Sequence, residues 1–347
     1  MTKKIGFTCA YTPVPLIEAA GFSPFRVFPE SKAPDQAGHL LHDNLCPHVK
    51  KVLDRALADD LPDLEGMIFI NSCDAMRRLS DAWHAARPQD EILLLDLPSG
   101  ISSLSIDFLS KEYDRLAKTL FEWNHKPFSL EKIKEKIDNW NHLAAMAKKI
   151  EKTMSKEYFP GYASRLQHII NTAATDSIDT AAAAAKDHLH PIGPAQKGRI
   201  PVFIFGNLLF DPNVYNLFEE WNLHVAASDF CTSSRFISPI DVKKDETIFR
   251  SLAGSFLSQT PCARTMETTV PGSIAQKIVQ QAKETNAKGV IGFTLKFCDP
   301  YLARIPMIRK ALQEASLPFL MLEGDCTMGS LGQQQTRIEA FTEMLGV

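Results

Sequence analysis

Short apolar runs alternate with helix-length amphipathic stretches twice over in this chain, and no other feature of its 347 residues narrows the fold so far. In the first hundred residues the runs fall at 5–8, 25–28, 67–70 and 92–95. Each is too short for a helix and mostly apolar, as suits a strand buried on both faces of a parallel sheet. Helical stretches fill the gaps at 14–20, 47–58 and 75–86, with Gly21 as a C-terminal stop to the first. The same order returns with runs at 202–205, 224–227, 290–295 and 319–322, and helical stretches at 213–221, 274–287, 302–315 and 334–345. Parallel neighbours need a crossover between them, usually a helix. The pattern therefore predicts an α/β protein of two Rossmann-like lobes, each carrying a four-stranded parallel sheet.

The alternation lapses from about residue 101 to 190. There Leu130, Ile133, Ile137, Trp140, Ala144, Ile150 and Met154 recur at three- and four-residue steps, with lysines and glutamates opposite. This is a helical packing layer without chemistry of its own, ended by Pro191 and Gly193. The division expected is a first lobe over 1–100, a helical region over 101–196 and a second lobe over 197–347.

Composition excludes several classes. A formal net charge of −3 leaves no basic excess for nucleic-acid phosphates. No apolar run approaches the roughly 20 residues of a membrane helix. The N-terminus enters a strand without the apolar core of a signal peptide, so a cytoplasmic protein with reduced thiols is expected. No Walker loop, Gly-x-Ser-x-Gly elbow, His-Glu-x-x-His or Gly-x-Gly-x-x-Gly occurs, so any ATP requirement falls to a partner.

The chemistry must then be sought among seven cysteines. A Cys-Asp step follows the third apolar run of each half, as Cys73-Asp74 and Cys298-Asp299. Ligands of open parallel sheets collect beyond the carboxyl ends of strands, so both thiols reach that edge, with the aspartates read as caps of the following helices. Cys46, ahead of Pro47 at a helix start, is the third candidate; the helix dipole there is expected to favour thiolate. Three convergent thiolates leave one position open on zinc or on one iron of a [4Fe–4S] cube. The spacings, 27 residues from Cys46 to Cys73 and 225 from Cys73 to Cys298, match no short metal motif and leave metal, redox and packing roles open.

The remaining cysteines read differently. Cys9 follows the first strand, as a packed thiol or a cleft-lining one. Cys231 opens the loop Thr232-Ser233-Ser234-Arg235, whose side chains suit a phosphate or carboxylate better than a metal. Cys262 and Cys326 read as structural. Asp187-His188-Leu189-His190 reads as a solvated turn at a helix exit.

At these residues the chain resembles the 2-hydroxyacyl-CoA dehydratase family, which includes benzoyl-CoA reductase subunits and double-cubane cluster proteins. The carriers are Cys9-Ala10-Tyr11-Thr12-Pro13, Asn44-Leu45-Cys46-Pro47-His48, Ser72-Cys73-Asp74-Ala75-Met76-Arg77-Arg78, Asp229-Phe230-Cys231-Thr232-Ser233-Ser234-Arg235, Lys296-Phe297-Cys298-Asp299-Pro300-Tyr301 and Gly332-Gln333-Gln334-Gln335-Thr336-Arg337. Their order along nearly the whole chain is more specific than any one of them.

The resemblance implies an iron–sulfur subunit of anaerobic metabolism, with Cys46, Cys73 and Cys298 holding a [4Fe–4S] cluster between the lobes. It also implies a homologous or identical partner subunit, an ATP-hydrolysing iron–sulfur activator that delivers a low-potential electron, and a CoA-thioester substrate. In the dehydratases that electron enters the thioester carbonyl, giving a ketyl radical that expels the hydroxyl group; related reductases reduce an aromatic thioester. The alternatives implied are a homodimeric reductase with an [8Fe–9S] double-cubane cluster shared across the dimer, and a partner subunit that bears a cluster without catalysing. Two departures bear on substrate class: Val14-Pro15 replaces a common acidic position, and Ser233 stands where glycine is usual.

Overall fold

A computed structural model describes residues 3–30, 35–265, 272–326 and 334–346. The first sheet comprises β1 (Lys4–Phe7), β2 (Ser23–Arg26), β3 (Leu64–Asn71) and β4 (Ile92–Asp96), in the order β2-β1-β3-β4. The second comprises β5 (Ile200–Gly206), β6 (Leu223–Asp229), β7 (Gly289–Leu295) and β8 (Phe319–Gly324), in the order β6-β5-β7-β8. Every strand pair is parallel, and the two orders are the same. The two lobes expected from the alternation are present.

In this order the chain crosses from β1 to one neighbour and returns to β3 on the other side. The switch point of the first lobe therefore lies between β1 and β3, and that of the second between β5 and β7. A crevice opens there at the carboxyl edge, because the flanking connections leave in opposite directions.

The first-lobe helices are α1 (Val14–Ala19), α2 (Pro47–Leu57) and α3 (Asp74–Ala86). The helical layer is α4 (Ser103–Trp123), α5 (Leu130–Met154), α6 (Tyr162–Thr175) and α7 (Ile178–Asp187). In α5, Ile133, Ile137, Trp140, Ala144, Ile150 and Met154 are buried as the periodicity predicts, whereas Leu130 at the helix start is exposed. The second lobe adds α8 (Asn213–Glu220), α9 (Ile248–Ser258), α10 (Ser273–Glu284), α11 (Asp299–Leu302), α12 (Ile305–Glu314) and α13 (Gln335–Met344). The stretch expected as one helix over 302–315 is thus two, interrupted after Leu302, and α9 had no counterpart in the periodicity reading.

The layer joins the lobes. Helix α5 packs on α1 and on β6, while α6 packs on β2 and on α8. One apolar cluster runs from Ile5 and Phe7 through Leu116, Ile137 and Ile170 to Val202 and Ile291. Trp140 donates from its indole to Ser238 O at 2.8 Å, and the Asn141 amide pairs with both backbone groups of Ile240 at 2.7 and 2.8 Å. These bonds fix the second-lobe loop against α5.

Candidate functional site

The two carboxyl edges face each other. Arg264, in the connection that follows α9, donates to Ser72 O, Pro98 O and Leu97 O at 2.8, 2.6 and 3.0 Å, all beyond the strand ends of the first lobe. Tyr11, past β1, meets Thr265 at 3.2 Å between oxygens. Arg26, the last residue of β2, donates to Cys231 O at 2.7 Å beyond β6. The rings of Phe28 and Phe210 stack at 5.0 Å across the same seam.

The three predicted ligands occupy equivalent places in local structure. Cys46 is the N-cap of α2, Cys73 of α3 and Cys298 of α11, and none closes a side-chain cap hydrogen bond. By contrast α4, α5, α7 and α9 start on Ser102, Ser129, Ser177 and Thr247, whose hydroxyls accept from the third residue onward. Serine and threonine satisfy a helix start and cysteine does not, so at the rim cap stability is given up for sulfur.

The aspartates are not caps. Asp74 and Asp299 are the first helical residues, one position later than expected. There they complement the positive helix end, and Asp74 pairs with Arg77 and Arg78 at 3.1 and 3.7 Å.

The structure brings the three thiols into each other's electrostatic range. Burial pushes the Cys46 thiol up to about 12, and Cys298 and Cys73 add to the rise. Burial likewise raises Cys298 to about 11, with Cys262 and Cys73 contributing, and raises Cys73 with help from Cys262. The expectation that the helix start would favour thiolate at Cys46 is therefore overturned in the free protein. The backbone N–H groups of His48 and Val49 do pull its pKa down, but desolvation and like charge outweigh them.

The other four cysteines belong to the same rim. Burial raises Cys9 to about 12, and its neighbours in the field are Cys231 and Cys262. Cys326, beyond β8, is pushed up by burial and then by Cys46. All seven thiols are free and partly buried. Cys262 and Cys326, in the connections before α10 and after β8, lie within electrostatic reach of Cys73 and Cys46 on this edge.

The Cys231 loop corrects another expectation. Its polar side chains are consumed internally: Thr232 exchanges hydrogen bonds with Leu209 N and O at 3.0 and 2.6 Å, and Ser233 accepts from Phe230 N at 2.9 Å. Arg235 is buried against Asp229 at 2.9 Å and donates to the Tyr301 hydroxyl at 2.9 Å. Only Ser234 Oγ and Arg235 Nη1 stay without a hydrogen-bond or ion-pair partner, so little of the loop is left to grip a phosphate or carboxylate.

What the loop does instead is brace the site. Tyr301, three residues after Cys298, donates to Gly206 O at 2.6 Å, and Arg235 donates to the same carbonyl. The turn bearing Cys298 is thereby tied to the end of β5. A Cβ on Gly206 would lie 1.8 Å from Phe293 O, so only glycine allows β5 and β7 to meet here. Asn207, next in sequence, accepts from Cys231 N at 3.1 Å and hydrogen-bonds the Cys298 thiol. Sequence reading passed over Asn207; the signal was its place directly after β5, matching Cys9 beyond β1.

The donor set fits an iron–sulfur group. Buried thiols with mutually raised pKa values exchange protons for metal on binding, which removes the like-charge conflict. Among the described residues no three His, Cys, Asp or Glu side chains close around a single-ion position. An open groove of about 520 Å³ runs beside this edge, from Leu45 next to Cys46 to Asp74 next to Cys73, with Leu41 and Ala82 in its wall and Arg78 at its rim. No helix among the described residues is long and apolar enough to cross a membrane.

With this geometry in view, the chain belongs to the family described as 2-hydroxyglutaryl-CoA dehydratase, D-component, whose model matches residues 9–345. It is 24% identical to the (R)-phenyllactyl-CoA dehydratase beta subunit of Clostridium sporogenes, over 99% of this chain and 92% of that one. Identity to the lactoyl-CoA dehydratase subunit beta of Anaerotignum propionicum is 23%, over 98% and 91%. One of the benzoyl-CoA reductase subunits of Thauera aromatica is 18% identical, over 92% of this chain and 84% of its own. The family expected from the motifs is the family found, although Gly332 and Gln333 of the last motif lie outside the described residues.

Proposed function

We propose that this protein is the iron–sulfur subunit of an activator-driven 2-hydroxyacyl-CoA dehydratase or benzoyl-CoA-reductase-type enzyme, with Cys46, Cys73 and Cys298 holding a [4Fe–4S] cluster. The observation that carries the reading is the convergence of three N-cap thiols, from both lobes, on one facing pair of switch-point edges. The cluster supplies one-electron chemistry toward a CoA thioester, fed by a separate ATP-hydrolysing activator. The chain's own residues set the rest: Arg264 and Tyr11 hold the edges together, Tyr301 and Gly206 position Cys298, and burial keeps bulk water from the sulfurs. The groove beside Cys46 and Cys73 is of small-molecule size, and its apolar wall with Arg78 at the rim suits an acyl group carrying an anionic tail. The relatives' names support an acyl-CoA substrate and a multisubunit assembly, with a homologous or identical partner subunit.

A second reading is favoured by the other thiols. Cys9 feels the charges of Cys231 and Cys262 on the same rim, so each chain brings more thiols than one cube needs, which suits an [8Fe–9S] double-cubane cluster shared across a homodimeric reductase. Metal analysis and spectroscopy of anaerobically purified protein, before and after dissociation of the dimer, separate the readings. Both predict about four irons per chain, lost in Cys73→Ser, but single cubes keep their iron and spectrum in the separated chains, whereas a double cube shared across the dimer is lost on dissociation. A chain with no iron under these conditions refutes both.

A further inference from the structure

We propose that Arg26 is the fixed counter-cation of the anionic group carried on this rim and raises that group's reduction potential, an inference that rests on the cluster reading above. Arg26 is 1% exposed. Its Nη1 donates to Cys231 O at 2.7 Å, its Nη2 lies 3.4 Å from Cys231 Sγ, and its guanidinium sits 5.8 and 5.3 Å from the ring centres of Phe28 and Phe236. Two rings, a carbonyl and a thiol surround it without neutralising it.

The other buried arginines are treated differently. Arg235 pairs with Asp229 at 2.9 Å, and Arg55 with Asp60 and Glu30 at 3.1 and 3.7 Å. Arg26 pairs with no carboxylate among the described residues. A buried charge without a counter-charge is costly unless an opposite charge arrives with a ligand.

The position of Arg26 says where that opposite charge sits. It closes the carboxyl end of β2 and touches the loop beyond β6, so it lies on the seam between the two edges. Its Nη2 lies at hydrogen-bonding distance from Cys231 Sγ, one of the thiols of that rim. A thiolate-ligated iron–sulfur group is anionic and gains one further negative charge when reduced. A cation built into the wall favours that reduced form, and low local dielectric strengthens the effect.

The test is a redox titration, followed by electron paramagnetic resonance, of anaerobically reconstituted full-length protein and its Arg26→Gln and Arg26→Lys variants. The expected result is at least a tenfold weaker preference for the reduced form in Arg26→Gln, a midpoint lower by about 59 mV for one electron. Arg26→Lys, which keeps the charge, stays within threefold of the parent. A loaded Arg26→Gln protein whose midpoint is unchanged overturns the proposal while leaving the cluster reading intact. If Arg26→Gln does not load, Arg26→Lys decides: loading with the parental midpoint upholds a role for charge, and failure to load assigns Arg26 to packing and overturns it. A parent protein that takes up no iron refutes the cluster reading and this proposal with it.

Discussion

Replacing Arg264 by methionine removes the side chain that clamps the two carboxyl edges. Its guanidinium makes three bonds of 2.6 to 3.0 Å to carbonyls of Ser72, Leu97 and Pro98, none of which belongs to its own lobe. Hydrogen bonds from a charged donor contribute about 1.5–3 kcal/mol each. The three do not add fully, because water entering the seam re-solvates the carbonyls once the clamp is gone. A net loss of about 3 kcal/mol is expected, with Arg264→Lys recovering roughly a third, since an ammonium cannot span three acceptors in one plane. Urea unfolding should show a midpoint lower by about 1 M for a slope near 3 kcal/mol/M. Hydrogen exchange should locate the effect, with faster exchange at the amides of residues 73–77, at the start of α3, and little change in β5. A midpoint shift below about 0.2 M with unaltered exchange at α3 would refute the claim that Arg264 holds the lobes in register.

Gly206→Ala is expected to cost about 3 kcal/mol or more, because the added methyl meets a backbone oxygen at 1.8 Å and β5 and β7 must part; thermal melts report it. Stability should also depend on pH through Glu151, whose carboxyl burial raises to about 7, with Asp229 adding to the rise and Lys148 opposing it. A raised folded-state pKa means this contribution is complete below the ordinary carboxylate range and lost as pH climbs toward 7. Glu151→Gln should therefore gain about 2 kcal/mol over the parent at pH 8 and almost nothing at pH 4, and equal melting shifts at both pH values would count against it. His224 works in the opposite sense: burial lowers it to about 4, so its contribution is present above its ordinary pKa and lost as pH falls toward 4. Replacing it with phenylalanine should flatten that limb of the melting curve.

Strand and helix positions were legible because they follow from local periodicity. The runs around Ile68 and Ile291 are buried on both faces wherever a parallel sheet forms, and Ile137 faces inward wherever α5 packs. The two stretches the pattern misread are local exceptions. At 299–306 Pro300 and Pro306 each stand in the first turn of a helix, so α11 and α12 start separately where one helix was expected. The burial of Thr232 and Ser233 was hidden because their polar groups are met by distant backbone, across 23 residues to Leu209, and by Phe230 in the turn.

The sequence by itself determined the twofold α/β order, the helical layer and the placing of Cys46, Cys73 and Cys298 at helix starts beyond strands, since all of these depend on neighbours within a few residues. It also carried enough ordered motifs to indicate the family. Only the tertiary structure decided which groups share an environment. It turned the two edges toward each other, gathered Cys9, Cys231, Cys262 and Cys326 onto the same rim, and left Arg26 buried without a carboxylate. It also reversed the expected thiolate at Cys46, because the local pull of a helix start is weaker than the desolvation and like charge that arise only once Cys46 and Cys298, 252 residues apart in sequence, meet across a closed seam.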